Sequence, residues 1–315
     1  MGSRAIVTVG ICPCWDITCR VEGISWGDHK PMASQRCVPA GKALNISRAL
    51  AWMGAKSTAA GLWGKGDYEQ MREAMGDLRG HIDICMTQVE GRTRRNVTIV
   101  DTHNAREMHL RAESDLAGIQ SLRLLAGDLS RLVGEKSVCV FAGAMPQDEL
   151  LDDAIVMIDN LRKRGAGIIA DTSGVALKRI VDLGDIKIIK PNVEELSELI
   201  GYSVADSTEA IVAAAKGLCD RVRTVLVSRG RKGALAVGAD RVLSGVVKAE
   251  QDAAVSTVGC GDYLLAGFIG GLADAGGDQR QALERAVKAA TARAWGRHDK
   301  MEWSEAHEKI EVEIT

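Results

Sequence analysis

The segment from Gly259 to Asp262 combines residue types that can bind a phosphoryl group and activate a hydroxyl. Its sequence, Gly-Cys-Gly-Asp, precedes a run of apolar residues with helical spacing that begins near Leu264. Glycines at a helix N-terminus let backbone N–H groups converge on an anion, and the helix dipole favours the same charge. We therefore expect an anion hole at Gly259, Cys260 and Gly261. Asp262 is then the expected base, although a glycine-rich turn with an acidic residue is also an ordinary helix start.

Alternating strands and helices in the second half of the chain predict the sheet that would position these residues. Strands are expected at 137–141, 167–170, 186–189 and 224–227, and helices at 148–164 and 207–219. This alternation is typical of an α/β fold with a mostly parallel, doubly wound sheet and helices on both faces. Ligands of such sheets bind at the carboxyl ends of the strands. The polar segments that follow predicted strands are 171–174, 190–192 and 228–230.

The first half predicts a further strand and helix of the same sheet together with a smaller β-rich layer. Residues 5–12 predict a core strand, and residues 43–53 predict a helix that follows a glycine-containing turn. Residues 15–39 and 89–111 fit neither a core strand nor a core helix. We expect these two insertions to pack together as a small β-rich lid. Because no linker or repeat separates the halves, residues 1–315 are expected to form one domain with this lid.

The composition excludes several classes of function. The 40 Lys and Arg residues against 42 Asp and Glu residues give a net charge of −2. A main role in binding nucleic acid or an anionic membrane is therefore disfavoured. No apolar run approaches the roughly 20 residues that cross a bilayer. The 8 Cys residues are scattered along 315 residues, which favours a reducing, cytoplasmic location over a disulfide scaffold.

Four segments, 41–45, 190–195, 227–233 and 257–262, resemble motifs that occur in this order in one enzyme family. The last segment, Thr-Val-Gly-Cys-Gly-Asp, is similar to the C-terminal signature of the ribokinase-like (PfkB) carbohydrate kinases. The resemblance covers about residues 5–295. It implies a ribokinase-like α/β fold, an anion hole formed by the glycines and an Asp as the catalytic base.

The resemblance also implies ATP and Mg²⁺ as cofactors and leaves open whether a monovalent cation is needed. Asn192 and Glu195 match the pair that organises magnesium through water in this family. An Asn followed three residues later by Glu is also a capping box, so a simple helix start remains the alternative. The residues implied at the nucleotide are Ser228, Gly230, Gly233 and Lys190. A simple turn between two strands is the alternative for the first three.

Shorter matches at 13–16, 93–96, 142–146 and 171–174 resemble the 1-phosphofructokinase and tagatose-6-phosphate kinase branch. Members of this branch phosphorylate a hydroxyl of a sugar that already carries a phosphate. A fixed ammonium and a planar guanidinium suit such a phosphate. The arginine that would bind the phosphate is Arg94, and the alternative for it is an exposed, solvated residue on a strand of the lid. The implied substrate residues are Asp16 and Asn45 for hydroxyls, Lys42 and Arg94 for the phosphate, and Gly41 beside them.

Several residues depart from the family pattern and leave the identity of the sugar open. They are Cys12, Trp15, Ala40, Ala43, Cys260 and Tyr263. At a helix N-terminus the pKa of the Cys260 thiol is expected to fall. The alternatives are a kinase for an unphosphorylated sugar or a nucleoside, and a catalytically silent nucleotide-binding relative. Since lid-to-lid dimers occur among related kinases, a homodimer through the lid is also considered.

Overall fold

The computed structural model describes residues 5–78, 80–104, 106–249, 251–274 and 276–315. The strands are β1 (Ile6–Gly10), β2 (Cys14–Val21), β3 (Ser34–Ala40), β4 (Ser57–Gly64), β5 (Ile82–Val89), β6 (Arg95–Asp101), β7 (Arg106–Leu110), β8 (Val138–Ala142), β9 (Gly167–Asp171), β10 (Ile186–Ile189), β11 (Val222–Ser228), β12 (Ala234–Val237), β13 (Val242–Val247) and β14 (Val312–Ile314). The α-helices are α1 (Lys42–Trp52), α2 (Tyr68–Ala74), α3 (Ile119–Leu132), α4 (Asp148–Lys163), α5 (Gly174–Asp182), α6 (Val193–Ile200), α7 (Thr208–Lys216), α8 (Cys260–Asp274), α9 (Gln279–Ala294) and α10 (Trp303–Lys309). From β8 to β11, strands alternate with helical segments, as the sequence predicts.

Ten strands form the main sheet in the order β14-β13-β12-β11-β10-β9-β8-β1-β4-β5. The pairs from β11 to β5 are parallel, and the three edge strands β12 to β14 pair antiparallel. The prediction of a mostly parallel α/β sheet is therefore confirmed. The segment 302–315 supplies the last helix α10 and the edge strand β14.

Helices cover both faces of the sheet because successive residues of each strand point to opposite sides. Cys139 and Phe141 of β8 pack into a core with α3 to α7, whereas Val140 and Ala142 pack into a second core with α1, α8 and α9. All four side chains are buried. Truncation of a ring such as Phe141 to Ala in a core of this kind costs about 3–5 kcal/mol of unfolding free energy. The sheet is thus a stiff support for side chains at its carboxyl edge.

A second sheet of four strands, in the order β3-β2-β6-β7, lies in the two segments predicted as a lid. β2 pairs in parallel with β6, and the outer pairs are antiparallel. Strand β7 is exposed along its whole length. We call this sheet the lid.

Asp67 joins the points where the two central lid strands begin. Its carboxylate accepts a hydrogen bond from the Trp15 indole Nε1 at 2.9 Å. It also accepts bonds from the backbone N–H and the hydroxyl of Thr93, each at 3.2 Å. Trp15 and Thr93 precede Asp16 and Arg94, respectively, so one buried carboxylate fixes the positions of both neighbours.

Candidate active site

Three charged residues meet at the carboxyl edge of the main sheet. Asp171 ends β9, Lys190 directly follows β10, and Asp262 lies in the first turn of α8. All three side chains are buried.

Within the described residues, no helix is both long enough and apolar enough to cross a membrane.

Asp171 is the centre of an ion cluster. Its Oδ1 lies 2.9 Å from Lys42 Nζ and 3.3 Å from Lys190 Nζ, and the side chain of Asp171 is 0% exposed. Burial raises the pKa of Asp171, but the two ammonium groups outweigh burial and hold the pKa below its usual value. Sequence reasoning left Asp171 outside the candidate site, although an acidic residue directly after a buried strand was a usable signal.

Asp262 has the electrostatic properties of a proton acceptor. Burial and the nearby negative charge of Asp171 raise the pKa of Asp262 to about 7, against the opposing effects of Asn45, Lys42 and Lys190. Asn45 Nδ2 donates a hydrogen bond to Asp262 Oδ2 at 2.8 Å. A carboxylate with a pKa near neutrality can accept a proton from a hydroxyl more effectively than one with an ordinary pKa.

The predicted anion-hole residues form the turn into α8. Gly259 has φ 81°, a left-handed conformation that favours glycine. A Cβ atom on Gly261 would lie 3.0 Å from Lys190 Nζ, so the absence of a side chain lets this ammonium approach the turn. The expected fall in the pKa of the Cys260 thiol is wrong. Burial is the dominant effect on that thiol and raises its pKa, despite the positive end of the helix.

Two cavities meet at this turn. The smaller one has a volume of about 360 Å³ and is lined by residues of β11, β13, α8 and α9. The larger one has a volume of about 470 Å³ and lies between the main sheet and the lid. Thr257 and Gly261 line both cavities. A group bound at the turn is therefore accessible from either side.

The larger cavity brings together the predicted substrate residues, all of which line it. Arg94 donates from Nε to Pro13 O at 3.2 Å, from Nη1 to Ala112 O at 2.8 Å and from Nη2 to Cys12 O at 2.9 Å. A guanidinium has five N–H donors, so Arg94 both braces the lid and retains two donors. The predicted substrate residues that line this cavity are Asp16, Gly41, Lys42, Asn45 and Arg94. Three further lining residues, Asn96, His109 and Arg111, were not predicted from the sequence.

The smaller cavity contains three of the four residues predicted at the nucleotide. Ser228, Gly230 and Gly233 line it, whereas Lys190 lines the larger cavity. A Cβ atom on Gly233 would lie 2.0 Å from Gly245 O, so only glycine permits this approach of β12 to β13. The 3-10 turn Gly230–Lys232 directly precedes this close approach, and its first residue, Gly230, lines the cavity.

Asn192 and Glu195 form the capping box of α6. Glu195 N–H donates to Asn192 Oδ1 at 2.8 Å, and Asn192 N–H donates to Glu195 Oε2 at 2.9 Å. Among the described residues no group of three or more His, Cys, Asp or Glu side chains could hold a metal by itself. Mg²⁺ usually keeps several waters and binds one or two carboxylates together with substrate phosphates. Glu195 supplies one half-buried carboxylate, and Asn192 forms a β-bridge with Ser228, whose N–H donates to Pro191 O at 3.1 Å. A single carboxylate of this kind fits that mode of binding.

Comparisons with known proteins agree with the resemblance in the sequence. The family model described as pfkB family carbohydrate kinase matches residues 3–294. A 1-phosphofructokinase of Vibrio cholerae is 28% identical over 297 residues, which cover 92% of this chain and 88% of that protein. A 1-phosphofructokinase of Borreliella burgdorferi is 32% identical, with 81% of this chain and 80% of that protein covered. A tagatose-6-phosphate kinase of Staphylococcus epidermidis is 25% identical, with 96% and 94% covered.

Solved structures share the fold. Phosphofructokinase-2 from Escherichia coli in complex with fructose-6-phosphate superposes with a TM-score of 0.88 at 21% identity, covering 98% of both chains. A 1-phosphofructokinase-like structure from Thermotoga maritima gives a TM-score of 0.81 at 20% identity, with 99% of this chain and 100% of that chain covered. The ribokinase-like fold is thereby confirmed, and the chain belongs to the pfkB family of carbohydrate kinases.

Proposed function

We propose that this protein transfers the γ-phosphoryl group of ATP to a hydroxyl of a phosphorylated sugar. The observation that carries the proposal is the position of Asp262, a buried carboxylate where two cavities meet. ATP occupies the smaller cavity with its γ-phosphate at the turn of Gly259 to Gly261. The sugar phosphate occupies the larger cavity under the lid.

Asp262 acts as the general base in this proposal. Its raised pKa suits proton transfer near neutral pH, and the bond from Asn45 orients its carboxylate toward the acceptor hydroxyl. Backbone N–H groups of the turn, together with Lys190, stabilise the charge of the transferring phosphoryl group. Asn192 and Glu195 would hold waters of a bound Mg²⁺, and this ion would neutralise charge on the ATP phosphates. The lid excludes water, which would compete as the acceptor.

A phosphorylated substrate is favoured by the cations of the larger cavity. Lys42, Arg94 and Arg111 all line it, and each can pair with a phosphate on the sugar. Curated relatives that cover most of the chain are named 1-phosphofructokinase and tagatose-6-phosphate kinase. A ketohexose phosphate is therefore the first substrate class to test.

The proposal also includes the domain organisation, the oligomeric state and the cellular location of the protein. Residues 1–315 act as one kinase domain with the lid inserted at about 15–39 and 89–111. The connection between β2 and β3 of the lid exposes apolar side chains, including Trp26 at 95% and Met32 at 52%. These suit contact with the lid of a second copy in a homodimer. The scattered cysteines, none of which forms a disulfide, are compatible with a cytoplasmic enzyme.

The direct test is ADP formation by purified protein with MgATP and a panel of acceptors. The panel pairs each phosphosugar with its unphosphorylated form, for example fructose-1-phosphate, fructose-6-phosphate, tagatose-6-phosphate, fructose and tagatose, together with ribose and adenosine. We expect kcat/KM for at least one phosphosugar to exceed that of its free sugar by about 10²-fold, because charged hydrogen bonds contribute about 1.5–3 kcal/mol each.

Other outcomes of the panel separate the alternatives. Preference for a free sugar or a nucleoside would move the function to another acceptor within the family. Binding of ATP without turnover on any acceptor would indicate a catalytically silent relative.

A further inference from the structure

Arg293 of α9 lies directly behind the anion-hole turn. Its Nε donates a hydrogen bond to Val258 O at 3.0 Å, the carbonyl that precedes Gly259. A Cβ atom built on Gly259 would lie 3.2 Å from the same Nε. The guanidinium therefore contacts the backbone of the turn without lining either cavity.

The surroundings of Arg293 keep its guanidinium in this place. Its Nη1 contacts His298 Nε2, and its Cζ lies 5.7 Å from the centroid of the Tyr263 ring. The Tyr263 and His298 rings are in edge contact, with centroids 5.2 Å apart. Burial and the charge of Arg293 lower the pKa of His298 to about 4, so the neutral ring can accept a hydrogen bond at neutral pH. Tyr263 directly follows Asp262, which connects this support to the proposed base.

Arg293 acts on the turn through its positive charge as well as through its hydrogen bond. Burial raises the pKa of the Cys260 thiol, and the positive charge of Arg293 is the main opposing influence. A guanidinium stays protonated in proteins at any working pH. The turn therefore has a permanent positive charge next to the position where a phosphoryl group would carry its negative charge.

We propose that Arg293 is a built-in cation that positions the anion-hole turn and makes the activity independent of added monovalent cations. One relative, phosphofructokinase-2 from Escherichia coli, has been solved in complex with potassium. In the present chain a guanidinium already binds the carbonyl that leads into the turn. The inference rests on the proposed function insofar as the turn binds the transferring phosphoryl group, and it makes Arg293 a positioning residue.

The test compares two variants. Arg293→Met removes the positive charge, and Arg293→Lys keeps the charge but replaces the planar guanidinium with an ammonium group. Arg280→Met is the matched control, because Arg280 lies on the same helix and donates to the backbone carbonyl of Ile314, far from the turn. Rates are measured with 0–100 mM KCl at an ionic strength held constant with choline chloride. Thermal midpoints of all variants report structural damage separately.

We expect the wild-type rate to change less than twofold across the KCl series. Arg293→Met should lower kcat by about 10²-fold, the effect of removing one preorganised stabilising group, with both KM values nearly unchanged. Arg293→Lys should lie between these two, and Arg280→Met should retain the wild-type rate. A wild-type enzyme that requires K⁺, or an Arg293→Met variant with undiminished kcat, would overturn the proposal.

A binding measurement separates this inference from the proposed function. ADP with Mg²⁺ and aluminium fluoride mimics the transferring phosphoryl group, and its affinity can be measured without a sugar acceptor. We expect Arg293→Met to bind this mimic at least about tenfold more weakly than wild type while ADP alone binds equally well. Equal affinity for the mimic would refute the role of Arg293 even if kinase activity is found. If Arg293→Met does not fold, the Arg293→Lys variant and the wild-type KCl series still decide the matter.

Discussion

The carboxyl edge of the main sheet and the lid hold charged side chains in opposite ways. At the sheet edge, Asp171, Lys190 and Asp262 are buried, and they interact with one another. In the lid, Asp16 and Arg94 lie on the cavity wall and bond chiefly to nearby polar groups, as in the bond from Asn96 to Asp16 and the three bonds from Arg94 to carbonyls. Burial tunes pKa values at the sheet edge, whereas the lid offers donors to a ligand. Under the proposed function, the main sheet would carry the chemistry and the lid would carry the recognition of substrate.

The sheet edge should show the largest effects of substitution. Asp262→Asn removes the proposed base but keeps the bulk of its side chain, so we expect kcat to fall by about 10²–10⁴-fold. The Kd for ATP should stay near that of wild type. Asp274→Asn, at the exposed end of the same helix, is the control. Wild-type-like turnover of Asp262→Asn would remove Asp262 from the mechanism.

The pH dependence reports on the same carboxylate. Since only the ionised form can accept a proton, kcat/KM should rise with pH through about 7, the raised pKa of Asp262, and level off above it. Below this region the rate should fall about tenfold per pH unit. A profile that stays flat from pH 5 to 8 would contradict an essential base with this pKa.

Asp171→Asn should have the largest effect on stability. It leaves the buried Lys190 ammonium without its counter-charge, which typically costs about 3–5 kcal/mol of unfolding free energy. The pKa of Asp171 is lowered in the fold, so its stabilisation is present above the ordinary carboxyl pKa and is lost as the pH falls through its folded pKa. Urea denaturation at neutral pH measures the effect. Asp182→Asn, which breaks the exposed pair with Arg221, should cost at most about 1 kcal/mol.

Arg94→Ala tests the lid as a binding layer. We expect KM for the phosphosugar to rise about 10–100-fold, because charged hydrogen bonds to its phosphate are lost. The KM for ATP and for a free sugar should change little. Arg95→Ala, its exposed neighbour, serves as the control. An equal loss for phosphorylated and free sugars would mean that Arg94 only braces the lid.

Trp15→Phe should give the smallest effect. The substitution removes the hydrogen bond to Asp67 but keeps a ring. If the binding free energy of the sugar substrate falls by the value of one hydrogen bond, about 0.5–1.5 kcal/mol, its KM should rise about two- to tenfold. The value of kcat should remain close to wild type. A fall in kcat with unchanged KM would show that the anchor at Asp67 serves the chemical step rather than substrate positioning.

The two layers also differ in what the sequence could predict. The helix start at Gly259 to Asp262 and the capping box at Asn192 depend on residues close in sequence, so their patterns were visible. The position of Asp171 after a predicted strand was visible, but its pairing with Lys42 was not, because Lys42 lies 129 positions away. The backbone bonds of Arg94 likewise depend on how the lid folds. For the Cys260 thiol, the sequence indicates the helix dipole, but burial by the tertiary structure outweighs it.

The most direct test of the account is a phosphorus NMR spectrum of the reaction mixture after the protein has been incubated with MgATP and the best phosphosugar of the panel. The account predicts ADP signals together with a second phosphomonoester signal on the sugar, and signals at least about 100-fold weaker with Asp262→Asn over the same early incubation time. ADP with only inorganic phosphate, or a sugar bisphosphate formed equally well by Asp262→Asn, would contradict it.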